Sequence, residues 1–265
     1  MPPPPAGFEW RATASGPALV CLALEPFAAH LFTTRPWPLG SAAARDRPAA
    51  WADVARALGV DEAHFVRVHQ VHGATVVVRR AGDPQRSVAA LPPADILVAD
   101  DPSIALAIQT ADCVPLLIAD RRTGAVAAAH AGWRGLAAGV PEITVRALAE
   151  AFGSRPADLV AAVGPSISAA RYEVGSEVRD QFERAGFPGD RLAGWFLPGT
   201  RDGHWQFDGW AAARDQLSAS GVPADQLHLA GLCTAGDPDL LCSYRRDGTA
   251  AGRIAAAIRT APRRP

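Results

Sequence analysis

The sequence predicts an α/β fold in a single domain, built on a mixed or partly antiparallel sheet. Three observations predict it. Val-, Ile- and Leu-rich stretches bounded by Gly, Pro or Asp recur along the chain and read as strands. Stretches with apolar residues at helical spacing are interspersed among them. No Pro- or Gly-rich linker divides the 265 residues, 49% of which are hydrophobic, so there is ample apolar material for one large core.

Taken in order, residues 1–16 are Pro- and Ala-rich and predict a frayed end, as do the Pro-, Ala- and Arg-rich residues 258–265, leaving a folded body at 17–257. Trp51 to Leu58 has helical spacing. Strands are expected at Phe65 to Val78, Asp95 to Ala99, Ile104 to Ile108, Val114 to Ala119 and Ala125 to Ala129. The paired strands at 95 to 120 follow one another too closely for crossover helices, so the sheet is expected to be mixed or partly antiparallel. A helix at Glu142 to Phe152 puts Ile143, Val145, Leu148 and Phe152 on one face. A strand at Leu159 to Val163, helices at Ser176 to Ala185 and Asp208 to Ser220, and a strand at Leu227 to Leu232 complete the set.

Composition excludes several functions. Charged residues are 20% of the chain and the formal net charge is −1, so neither nucleic acid nor another polyanion is an expected partner; a small, weakly charged substrate is. Every one of the 26 basic residues is Arg, and the chain has no Lys and no Asn. That removes a Walker-type phosphate loop, a pyridoxal Schiff base and N-glycosylation. No apolar run approaches the ~18 residues a membrane span requires. The Pro run after Met1 does not match a signal peptide, and Cys21, Cys113, Cys233 and Cys242 have no regular spacing. The expectation is a cytoplasmic protein with reduced cysteines and no membrane partner.

Three segments combine metal-capable side chains with turns at strand ends. They are Gln70-Val71-His72-Gly73, Ala111-Asp112-Cys113-Val114-Pro115 and Ala129-His130-Ala131-Gly132-Trp133-Arg134-Gly135. Two imidazoles and a thiolate suit zinc, and three protein ligands leave a coordination position open. The residues are too far apart for a local finger, so only the fold could bring them together. On residue types alone, such residues at strand ends are more often a core histidine and a small buried cysteine than ligands, and His69 competes with His72.

Five segments, taken together, closely resemble a known family. These are Gln70 to Gly73, Thr110 to Leu116, Ala129 to Gly135, Gly164-Pro165-Ser166-Ile167-Ser168 with Tyr172-Glu173-Val174-Gly175, and Cys242 to Gly248. In this order they match the signatures of the laccase-domain family, also called the polyphenol oxidase or purine nucleoside phosphorylase family of the YfiH type. The resemblance runs from about Phe32 to Arg253. It implies one domain with two sheets layered between helices, and zinc at His72, Cys113 and His130. It implies phosphorolysis of adenosine, inosine, guanosine and methylthioadenosine, with deamination of adenosine. Copper is the less fitting metal, because a multicopper centre needs more imidazoles than seven His with no His-x-His pair supply.

On that resemblance, Arg35 and Arg134 are candidates to bind phosphate, since guanidinium holds such oxygens bidentately and Arg134 stands near a helix start. Gln70 is a candidate to hydrogen-bond substrate, and Asp112 to orient His72 or His130. Trp133 could stack on a base; Tyr172, Arg245 and Arg246 match the motifs without an assigned role. The chain departs from the pattern where Thr34-Arg35 runs into Pro36-Trp37-Pro38, and where Ser166 and Ser168 replace the usual residues. Two other readings stand beside this one. One is hydrolytic editing of misincorporated residues in peptidoglycan precursors; the other is a partner-binding protein with a structural metal closed by a fourth ligand such as Cys233.

Overall fold

Alternation of buried side chains along the strands builds two six-stranded sheets that pack face to face. The structure is a computed structural model and describes residues 1–40, 48–83 and 91–261. The first sheet has the spatial order Phe8–Thr13, Gly16–Cys21, Ala28–Thr33, Ile254–Thr260, Ala105–Thr110 and Phe65–Val66. All its pairs are antiparallel except the last. The second has the order Leu227–Leu229, Leu159–Val163, Val114–Asp120, Val126–Ala131, Ile96–Ala99 and Val76–Arg79, parallel at its two outer pairs. A small three-stranded sheet, Glu173–Gly175, His204–Phe207 and Phe196–Pro198, stands apart.

The period of two along a strand sends successive side chains to opposite faces. Leu97, Leu117, Ala128, Leu106, Ile108 and Ile258 fill the space between the two large sheets. Ile96, Val98, Leu116 and Ile118 point the other way, onto Val145 and Leu148 of helix Val140–Phe152 and Leu217 of helix Gly209–Ala219. The outer face of the first sheet is covered by Trp51 and Val54 of helix Pro48–Ala57. The layers therefore run helix, sheet, sheet, helices, which is the mixed α/β arrangement expected of the sequence. No helix of the described residues is long and apolar enough to cross a membrane.

Several boundaries differ from the expectation. Residues 8–13 are not frayed: they form a strand paired along its whole length with Gly16–Cys21, and Phe8 is buried. At the other end, Ile254–Thr260 is a strand in the middle of the first sheet, while residues 262–265 lie outside the described residues. Its Ala255-Ala256-Ala257 core has weak strand propensity, so pairing on both sides decides its conformation. The expected strand Phe65 to Val78 is two strands in different sheets, joined by a non-strand segment at 67–75 that crosses between them. That crossing segment carries Gln70 to Gly73. Leu227 to Leu232 is likewise shorter, ending as a strand at Leu229.

Candidate metal centre

One edge of the layered sheets brings three strand ends together. Ala105–Thr110 ends there, Val114–Asp120 begins there, and Val126–Ala131 ends opposite it with Val114 paired to Ala131 and Pro115 to His130. Cys113 and His130 therefore sit on the ends of one antiparallel pair, and the crossing segment lays His72 against them. The ligand atoms of His72, Cys113 and His130 all lie within 4.8 Å of one another, and the imidazoles of His72 and His130 meet edge to face with ring centres 4.8 Å apart. His130 is buried, Cys113 half-buried and His72 exposed, so the cluster opens to solvent on one side.

Asp95 holds the cluster in place. It is fully buried, one residue ahead of the strand that pairs with that of His130. Its carboxylate accepts the backbone N–H groups of Val71, His72 and Gly73 at 3.3, 3.0 and 2.7 Å. Its Oδ1 also lies 2.8 Å from Nδ1 of His130, which fixes that ring with Nδ1–H donating and Nε2 free to bind a metal. Burial pushes the Asp95 carboxyl up, and these contacts outweigh it and hold it below the usual range. The sequence gives little sign of this role, which it assigned to Asp112. A single carboxylate leading the apolar run Ile96 to Ala99 is the one hint.

The backbone is bent to suit. His72 and Asp112, a candidate ligand and the neighbour of one, have φ of 60° and 86°, a region that residues other than Gly rarely adopt and that costs roughly 1–3 kcal/mol each. Gly132 is needed for space rather than for conformation. A Cβ there would stand 2.9 Å from the Cys113 sulfur and 3.1 Å from Cδ2 of His72. Burial pushes the Cys113 thiol up, but the facing imidazoles of His130 and His72 overcome this and lower it. Burial pushes His130 down, and the Cys113 sulfur and Asp95 overcome that and raise it. The facing imidazoles thus favour the thiolate form of Cys113, the form that binds a cation. Two imidazoles and a thiolate form a borderline-soft donor set that fits zinc.

The cluster lies in a cavity of about 530 Å³ lined also by Gln70, Gln109, Thr110, Asp112, Trp133, Arg134, Tyr172, Tyr244, Arg245 and Arg253. The other expected residues fall as follows. Both ends of the Gln70 amide are engaged by the backbone of Gln109, each at 2.8 Å. Asp112 reaches neither imidazole; its oxygens accept from Thr234 Oγ1 and the Arg245 N–H, both at 2.6 Å. Arg35 is not among the lining residues and binds the Pro238 carbonyl and Asp247 instead. Arg134 lines the cavity, exposed and packed over the Trp133 ring at 4.3 Å. Its helix spans only Trp133–Ala137, too short to carry the dipole argument made for it. Arg246 is turned inward onto the Thr234 and Leu241 carbonyls. Cys233 accepts from the N–H and hydroxyl of Ser168 and stands outside the metal-ligand cluster.

Known proteins share this arrangement of sequence and fold. A purine nucleoside phosphorylase of Bacteroides thetaiotaomicron is 42% identical over 164 residues, 62% of this chain and 60% of that protein, so the match spans less than two thirds of its length. The purine nucleoside phosphorylase SCO2081 of Streptomyces coelicolor is 40% identical over 220 residues, covering 82% of this chain and 85% of its own. The crystal structure of the Bacillus licheniformis hypothetical protein YfiH superposes with a TM-score of 0.82 at 28% identity, over 94% of this chain and 98% of that one. A family model described as multi-copper polyphenol oxidoreductase laccase matches residues 44–261. With most of the chain inside that match, the protein belongs to the multi-copper polyphenol oxidoreductase laccase family, the YfiH-type proteins.

Proposed function

We propose that the protein is a zinc-dependent purine nucleoside phosphorylase acting on adenosine, inosine, guanosine and methylthioadenosine, with adenosine deaminase activity at the same site. The observation that carries this reading is the His72, Cys113 and His130 cluster set in a cavity of about 530 Å³ whose walls hold three arginines and three aromatic rings. That volume falls in the ~300–1,000 Å³ range of small-molecule sites. The relatives named purine nucleoside phosphorylases support it.

Zinc held by the three side chains would supply Lewis acidity. The chain's own residues would do the rest. Trp133, Tyr172 and Tyr244 offer ring faces to a purine. The arginines hold phosphate beside the sugar. A phosphate oxygen then bonds C1′ as the C1′–N9 bond breaks, and the bond pair leaves with the purine, which takes up a proton from the dihydrogen phosphate or from water. Asp95 keeps His130 in one orientation throughout.

The copper reading of the family's name fits less well. Among the described residues, only His72 and His130 of the seven His share a cluster; His30, His64 and His204 are engaged with Cys21, Asp61 and Asp202. Cys233, which would close a purely structural site, is bound to Ser168 instead.

Chromatographic analysis of zinc-loaded protein with adenosine, with and without phosphate, beside Cys113→Ala, tests the reading. Adenine formed only with phosphate and inosine formed without it, neither of them by the variant, is the expected result. No turnover of any purine nucleoside would overturn it and turn attention to peptidoglycan precursors.

A further inference from the structure

The cavity carries more positive charge than its walls balance. Arg134, Arg245 and Arg253 all line it, and Asp112, among the described residues the single carboxylate lining it, has its oxygens committed to Thr234 and the Arg245 N–H. Among the described residues, none of the three guanidinium groups has a carboxylate within ion-pair distance.

The three arginines are not equivalent. Arg245 donates from Nη1 to the Glu173 carbonyl at 2.9 Å and lies over the Tyr172 ring at 5.0 Å. Arg253 donates from Nη1 to the carbonyls of Ala251 and Gly252 at 3.1 and 3.0 Å. Each is thus held by one nitrogen, while the remaining N–H groups of the planar fork have no partner among the described residues. Among the described residues Arg134 makes no such hydrogen bond, and it rests on the Trp133 ring at the exposed mouth. A second observation points to a ligand at the same place. Thr110 lines the cavity at 2% exposure, and its hydroxyl has no hydrogen-bond partner among the described residues. Buried hydroxyls in folded proteins are nearly always paired.

We propose that Arg245, Arg253 and the Thr110 hydroxyl form an oxyanion subsite for a tetrahedral phosphoryl group, the inorganic phosphate of the proposed phosphorolysis. Two guanidinium forks supply charge and paired donors, the geometry that phosphate oxygens accept best, and the hydroxyl supplies a third donor. This rests on the nucleoside reading for the identity of the phosphate, but not for the existence of the subsite. It moves the phosphate from Arg35, which faces Pro238 and Asp247, to the two arginines that a carbonyl already orients. The free phosphate and the phosphate of a nucleotide share this chemistry, and their affinities separate them.

The test is calorimetric titration of inorganic phosphate into the whole protein without nucleoside, for the wild type, Arg245→Gln, Arg253→Gln and Thr110→Val. Arg146→Gln, on an exposed helix face, is the control. Each arginine variant is expected to weaken phosphate binding about tenfold or more, and Thr110→Val a few-fold, with the control unchanged. Adenosine 5′-monophosphate bound more tightly than phosphate, and weakened by the same variants, would support the subsite and make a phosphate ester its occupant. Because Arg245 also supports Glu173, circular dichroism accompanies each titration; the isosteric Thr110→Val keeps the outcome readable should an arginine variant unfold. Phosphate affinity unchanged in folded Arg253→Gln and Thr110→Val would overturn the proposal. Failure to turn over nucleosides, with phosphate binding lost in the variants, would remove the phosphorolysis reading and leave the subsite standing.

Discussion

Oδ1 of Asp95 lies 2.8 Å from Nδ1 of His130, while the same carboxylate takes the N–H groups of the segment that carries His72. One buried side chain thereby sets the separation of two candidate ligands that are 58 residues apart in sequence, at 72 and 130. Asp95→Asn keeps the shape but removes the charge and one acceptor. Zinc affinity is expected to fall about 10–100-fold, as for other groups that orient ligating imidazoles. Competition with a chromogenic chelator reads it directly, and an affinity equal to wild type would sink the role given to Asp95.

Gly132→Ala places a methyl 2.9 Å from the Cys113 sulfur. The backbone there has φ of −69°, open to any residue, so the helix that follows should survive while the three ligands are forced apart. Loss of metal binding with an unchanged far-ultraviolet spectrum is the expected result. Gly194→Ala is the contrast: it stands in helix Gly189–Trp195 with nothing within 4 Å of the new carbon, and should stabilise the protein by about 0.5–1 kcal/mol.

His30 gives the stability a pH dependence unrelated to the cavity. Its Nε2 accepts the Cys21 N–H at 2.8 Å, its Nδ1 faces the Ala28 carbonyl, and burial lowers its pKa to about 4. Unfolded, the ring titrates near 6.5, so between 6.5 and 4 the unfolded chain binds the extra proton. The stabilisation is complete above pH 6.5, falls as the pH drops toward 4, and amounts to roughly 3 kcal/mol in all. Urea midpoints of wild type and His30→Gln, measured from pH 7 to pH 4, should converge on acidification. Parallel curves would contradict the assignment.

Phe182 is fully buried among Phe187, Trp195, Phe196 and Phe207, with ring centres 5.2–6.0 Å away. Truncation to Ala leaves a void that rigid rings fill poorly. A loss of about 3–5 kcal/mol in urea unfolding is expected, with zinc affinity little changed because the cluster sits on other strands.

The cluster was legible because its residues stand in short motifs where turn and ligand are neighbours, as in Gln70 to Gly73 or His130 to Gly132. Asp95 was not, because its partners at 71–73 and 130 meet it only when a strand pair and the crossing segment are in place. Arg35 misled for the same reason in reverse: its nearest partner, Pro238, is 203 residues along the chain. The strands rich in Val, Ile and Leu could be read from pattern. Ile254–Thr260 could not, since Ala255 to Ala257 have no strand preference of their own and take their conformation from Ala28–Thr33 on one side and Ala105–Thr110 on the other.

The place of that strand also orders events on the ribosome. Ile254–Thr260 is made after every other strand of its sheet, yet it lies between two of them. A nascent chain can form the hairpin of Phe8–Thr13 with Gly16–Cys21 early, but Ala28–Thr33 and Ala105–Thr110 each keep a bare edge until residue 254 emerges. Translation therefore delivers the flanking strands first and the strand that joins them last.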